Sequence, residues 1–157
     1  MRDMANFSIR ISSDELCFSA AHFITAGHTC ERLHGHNYRV AAEIHGPLGE
    51  NRYVIDFIAA RDALRAVLDE LDHRVLLPGE HPTIRVSAGE KEVEVAISDR
   101  RWVFPRDDCL ILPLANTTAE ELARYLGGRL QQKLQRPVQL QIEVEESPGM
   151  TAVWRQS

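Results

Sequence analysis

The amino-acid sequence predicts an α+β domain with a mostly antiparallel sheet. Three observations carry this. Two segments, behind Asp56 and behind Thr117, set apolar residues at helical spacing after a capping residue. Four others alternate apolar and polar residues with the period of a half-buried strand. Their order is ββα, a set of short extended runs, then αββ.

In residues 7–24, Phe7, Ile9 and Ile11 alternate with polar neighbours, a turn falls at Ser12–Glu15, and Leu16 to Ile24 is extended again. Tyr38, Val40, Ala42 and Ile44 make residues 37–46 the next strand, which Gly46-Pro47 ends. Asp56 is a helix N-cap, because its carboxylate can accept the orphan amides of a first turn. Phe57, Ala60, Leu64, Leu68 and Leu71 form the apolar stripe behind it, so the helix should end near Leu71. Thr83–Ser87, Glu92–Ile97 and Arg101–Phe104 read as a small β-meander. Thr117-Thr118-Ala119-Glu120 reads as a capping box, followed by Leu122, Leu126, Leu130 and Leu134 on one stripe. Gly127-Gly128 inside that helix costs about 1 kcal/mol per glycine against alanine, and a close backbone approach by another element would explain the pair. Val138 to Glu146 and Thr151 to Trp154 are the final strands, around Ser147-Pro148-Gly149.

The chain has 157 residues, enough for one domain over 1–157. Its 18 Lys and Arg against 23 Asp and Glu give a net charge of −5, which disfavours non-specific nucleic-acid binding. No apolar run approaches a membrane span, and Met1 to Phe7 does not read as a signal peptide. Cys17, Cys30 and Cys109 form no Cys-x-x-Cys pair, so neither a disulfide framework nor a zinc ribbon is expected. The cytoplasm is the expected compartment. Cys17 and Cys109 read as buried, inert thiols.

Four of the seven histidines fall between positions 22 and 36. His34-Gly35-His36 on a strand aims both imidazoles to one face. They share parity with Tyr38, Val40, Ala42 and Ile44, and His22 shares parity with Leu16, Phe18 and Ala20. Three neutral imidazoles without a thiolate suit a catalytic zinc whose fourth position stays open. His28 reads as a loop residue beside the ligands or in solvent, and His45 and His81 as surface residues.

Cys30 lies four residues before His34, where a nearby cation would favour thiolate over thiol and allow it to act as a base; the bland reading is an inert thiol. Asp72-His73 suits proton transfer, or equally a histidine favoured by the helix C-terminus. Glu146 shares parity with Val138, Leu140, Ile142 and Val144, whereas Glu143 and Glu145 face the other way. A carboxylate ending a buried row needs donors. The amino-pyrimidinone edge of a pterin or guanine offers two parallel N–H groups to it.

Phe18-Ser19-Ala20-Ala21-His22, Cys30-Glu31-Arg32-Leu33-His34-Gly35-His36-Asn37-Tyr38, Val54-Ile55-Asp56-Phe57, Leu71-Asp72-His73, Asn116-Thr117-Thr118-Ala119-Glu120 and Val144-Glu145-Glu146-Ser147-Pro148 resemble, in order, the motifs of the 6-pyruvoyl-tetrahydropterin and 6-carboxy-tetrahydropterin synthase family. The resemblance implies a tunnelling fold: a four-stranded antiparallel sheet with two helices on one face. It implies a homohexamer of two stacked trimers. It implies zinc on His22, His34 and His36, Cys30 as base, Asp72 and His73 as a relay from a neighbouring subunit, Glu146 as the pterin anchor, and Thr118 as its helper. The Cys-x-x-x-His-Gly-His spacing resembles the queuosine-pathway members, which implies conversion of 7,8-dihydroneopterin triphosphate to 6-carboxy-5,6,7,8-tetrahydropterin. Two features depart from that pattern. Glu31 occupies the place of a catalytic glutamate in members that cleave the pterin side chain for folate synthesis. An insertion of about residues 77–113 separates His73 from Asn116, where many members have a short connector. A non-catalytic zinc- and pterin-binding module is the alternative outside enzymology.

Overall fold

The computed structural model describes residues 7–27 and 29–157. In chain order the strands are β1 (Phe7–Ile11), β2 (Cys17–His22), the two-residue β3 (Thr25–Ala26) and β4 (Thr29–Cys30), and β5 (His34–Gly46). Helix α1 (Phe57–Leu68) precedes β6 (Arg74–Pro78), β7 (Arg85–Ala88), β8 (Glu92–Ile97), β9 (Arg100–Pro105) and β10 (Cys109–Leu112). Helix α2 (Ala119–Leu134), β11 (Gln139–Ser147) and β12 (Met150–Arg155) complete the chain.

The main sheet runs β10-β6-β2-β5-β11-β12, with β1 also paired to β5. β5 is 13 residues long. One of its edges therefore takes β2 along His34–Arg39 and β1 along Ala42–Gly46. These pairs, and those of β11 with β5 and β12, are antiparallel, as alternation predicts. The sheet is nevertheless wider than the four strands expected. β6 pairs parallel with β2, and β10 parallel with β6. Val75-Leu76-Leu77 and Leu110-Ile111-Leu112 are unbroken apolar runs. Strands of parallel sheets, covered on both faces, have that pattern, so alternation does not reveal them.

Phe18, Ala20, Tyr38, Val40, Ala42, Ile44, Leu140, Ile142 and Val144 form one buried sheet face. Ala60, Leu64, Val67 and Leu68 of α1 and Leu122, Ala123, Leu126 and Leu130 of α2 pack into the same core. Asp56 caps α1 as expected, its Oδ1 accepting from the Ala59 amide at 2.8 Å. The helix stops at Leu68, and tighter turns through Glu70 and Leu71 still bury Leu71. The cap of α2 is one residue later than the sequence suggests: Thr118 accepts from Glu121, while Thr117 is buried and its Oγ1 donates to the Phe23 carbonyl. The glycine-pair expectation is met only at Gly127, and by a side chain instead of backbone. A β-carbon there would sit 2.2 Å from Trp154 Cζ3, whereas at Gly128 nothing lies within 4 Å.

β7, β8 and β9 form a separate three-stranded antiparallel sheet, the meander expected from the sequence. Its Val93 and Val95 bury against Phe23, Leu77, Ile84 and Cys109 in a second apolar cluster. The outer parts of the expected 77–113 insertion thus include main-sheet strand β10 and the end of β6. No helix among the described residues is long and apolar enough to cross a membrane.

Candidate metal centre and active site

Antiparallel register brings the three histidines together. His22 at the end of β2 lies opposite His34 at the start of β5, and His36 lies opposite Ala20. The three rings meet edge to face with centroids 4.9–5.2 Å apart. One ligand nitrogen from each lies within 4.8 Å of the others.

Two rings are held in a defined tautomer. His22 Nδ1 lies 2.9 Å from the Thr117 carbonyl oxygen, and His34 Nδ1 lies 2.7 Å from that of Arg32. A carbonyl only accepts, so both Nδ1 atoms carry the proton and both Nε2 atoms keep an unprotonated lone pair. Burial is the main cause of a lowered His22 pKa, which favours the neutral, ligating form. His36 Nε2 is buried and makes no hydrogen bond. An orphaned nitrogen beside two unprotonated ring nitrogens, with no thiolate in the set, fits a divalent zinc-type ion.

Glu146, the next-to-last residue of β11, brings its carboxylate to this cluster. Oε1 lies 3.7 Å from His36 Nε2 and Oε2 3.8 Å from His22 Nε2, too long for good hydrogen bonds. Glu146 and Thr118 line one cavity of about 310 Å³ with Ile24, Glu120 and Met150. The parity argument for Glu146 and the expectation for Thr118 thus converge on one place. The Tyr38 hydroxyl lies 3.3 Å from both His22 nitrogens, and burial pushes its pKa far up, which keeps it protonated.

A profile of the 6-pyruvoyl tetrahydropterin synthase family matches residues 11–157. The chain belongs to that family. A Methanocaldococcus jannaschii protein provisionally named 6-carboxy-5,6,7,8-tetrahydropterin synthase is 32% identical over 120 residues, covering 76% of this chain and 74% of the relative. A Haemophilus influenzae protein named 6-carboxy-5,6,7,8-tetrahydropterin synthase is 30% identical over 129 residues, covering 75% and 79%. A solved Plasmodium vivax 6-pyruvoyltetrahydropterin synthase superposes with a TM-score of 0.89 at 27% identity, covering 96% of this chain and 98% of that one. It is described as a catalytic-residue mutant in which a glutamate is replaced by alanine. The fold is therefore the tunnelling fold of the pterin synthases.

The remaining site residues of this synthase-family chain divide into two groups. Glu31 is close to the histidines: Oε2 accepts from the Ile24 amide at 3.2 Å and lies 3.9 Å from His34 Nε2. Cys30 is partly buried against the second apolar cluster, its thiol 3.4 Å from the Glu31 carbonyl. Burial pushes its pKa up, opposed by the charge of Arg100. Asp72 and His73 form a pair of their own. Asp72 Oδ1 accepts from the Ser19 amide at 2.8 Å, the main cause of its lowered pKa, and Oδ2 lies 3.0 Å from His73 Nδ1. His73, in a left-handed conformation (φ 58°), lines a cavity with Ser19, Asn37 and His36. Among the described residues no hydrogen bond or ion pair joins this dyad to the histidines.

Two expectations, for His81 and Cys17, need correction. His81 is no free surface residue: its Nδ1 accepts from the Thr83 and Ile84 amides at 3.1 and 3.0 Å, and its Nε2 lies 2.6 Å from Thr25 Oγ1. His45 stays half exposed beside Glu43. Cys17 is only partly buried, unlike Cys109. Position 28 lies outside the described residues. Sequence reasoning missed Thr117 and Asn116 as supports. Thr117 orients His22, and the Asn116 side chain donates to the Thr25 carbonyl at 3.1 Å. The available signal was the polar triplet 116–118 at a helix start.

Proposed function

We propose that the protein is a zinc-dependent pterin synthase that converts 7,8-dihydroneopterin triphosphate, with uptake of water, to 6-carboxy-5,6,7,8-tetrahydropterin, acetaldehyde and triphosphate, in the cytoplasm. The names of the curated relatives support this product class. The observation that carries the reading is the convergence of three imidazoles, one with an orphaned nitrogen, beside the Glu146 carboxylate. His22, His34 and His36 hold the zinc, which supplies Lewis-acid polarisation of the substrate side-chain hydroxyls. Glu146 accepts the paired N–H groups of the pterin ring, and Thr118 lines the same cavity. Cys30 takes a proton from the side chain. Asp72 and His73 of a neighbouring subunit return one, in a hexamer of two stacked trimers.

The proximity of Glu31 to His34 favours a second reading, in which Glu31 takes the proton and the side chain is cleaved toward 6-hydroxymethyl-dihydropterin. Mass spectrometry of the pterin products separates the two. Under the first reading the zinc-loaded wild type yields the 6-carboxy product, and Cys30→Ala lowers that rate about 10²- to 10⁴-fold. A 6-hydroxymethyl product that disappears in Glu31→Gln supports the second. Release of neither product sinks both.

A further inference from the structure

Arg100 opens β9, on the inserted meander, and reaches the segment that carries Cys30 and Glu31. Its Nη1 donates to the Cys30 carbonyl at 2.9 Å and to the Glu31 carbonyl at 3.0 Å. Its guanidinium carbon lies 4.8 Å from the centre of the Trp102 ring. Trp102 stacks on Phe23 with centroids 4.7 Å apart and planes 12° from parallel. Phe23 is buried and follows the ligand His22 directly. A guanidinium is planar, permanently charged and weakly hydrated, so it can stack on an indole while donating in its own plane. The other strand of the small hairpin is held independently: His81 Nδ1 accepts two amides, so its Nε2–H donates to Thr25 Oγ1.

We propose that Arg100 is a positioning residue of the active site. By bonding two consecutive carbonyls it fixes the peptide from which the Cys30 and Glu31 side chains project, and with it the place of each acid/base group beside the histidines. The inserted meander is then a working part of the site. This inference rests on the assignment of proton transfer to Cys30 or Glu31.

Hydrogen–deuterium exchange of peptides covering residues 24–33 in the zinc-loaded protein reads the clamp without substrate. Arg100→Ala is expected to speed exchange there roughly tenfold, since it removes two charge-assisted bonds, with zinc content unchanged. Turnover of dihydroneopterin triphosphate is expected to lose about 10- to 100-fold in kcat with KM nearly constant, the effect of a reacting group displaced by about an ångström. Arg100→Lys keeps the charge and a donor but not the planar stack. It should recover part of the kcat, and it serves alone if the alanine variant does not fold. Wild-type exchange in the variants overturns the clamp. A risen KM with wild-type kcat overturns positioning in favour of substrate binding. A wild type that consumes no substrate fails the pterin reading itself, whereas an active wild type with equally active variants fails this inference alone.

Discussion

His22 is constrained from several sides. Its Nδ1–H donates to the Thr117 carbonyl, the Tyr38 hydroxyl lies 3.3 Å from both ring nitrogens, and Glu146 faces Nε2. His36 has no hydrogen-bonded partner for its buried Nε2. A buried nitrogen without a partner costs on the order of 1–3 kcal/mol, and a coordinated ion would remove that penalty. His34→Ala with His36→Ala is therefore expected to lower zinc from one equivalent per chain to a small fraction, read by elemental analysis after dialysis. Full occupancy in the double variant would refute the ligand set. Parity along two strands was enough to choose these three histidines. It could not show that Glu31 rather than Cys30 approaches His34, because neither residue lies in a long strand with a periodic pattern.

At the scale of elements, the glycine pair in α2 separates two physical effects. Gly127 lets Trp154 of β12 lie against the helix, and a methyl group there would overlap the indole. Overpacking of this kind costs about 1–3 kcal/mol, more than the roughly 1 kcal/mol that alanine gains in a helix. Gly128 has open space, so only the propensity gain applies. Gly127→Ala is expected to lower Tm and Gly128→Ala to raise it, each by a few degrees, since 1 kcal/mol is worth about 2–4 °C at this chain length. A raised Tm in Gly127→Ala would mean that the indole moves aside freely. The meander shows a similar division. Its three strands were legible as short runs split by turn residues, but its use of Arg100 and His81 to hold the Thr25–Glu31 hairpin depends on contacts about 50 to 75 residues apart in sequence, which no local pattern records.

At the scale of the whole molecule, His73 lines a cavity with Ser19, Asn37 and His36, yet among the described residues no hydrogen bond or ion pair joins the Asp72–His73 pair to the three clustered histidines. A second copy could bring its own Asp72–His73 pair to these histidines, and closing strand edges between copies would also cover β12, an edge of the main sheet. Mixing inactive Cys30→Ala chains with inactive His73→Ala chains should therefore restore part of the turnover, because some interfaces would carry both intact groups. A mixed oligomer that forms and stays inactive would rule out the shared site.

The sequence by itself determined the α+β class, both helices, the antiparallel strands, the three convergent histidines and the inward side of Glu146. Each follows from a period of 2 or 3.6 residues or from a capping residue, and such signals are local. Only the tertiary structure decided the parallel additions β6 and β10, the support of His22 by Thr117, and the anchoring of His81. Parallel strands covered on both faces carry no alternation, and a hydrogen bond between distant segments leaves no periodic trace. Those features exist only once the sheet has set its register.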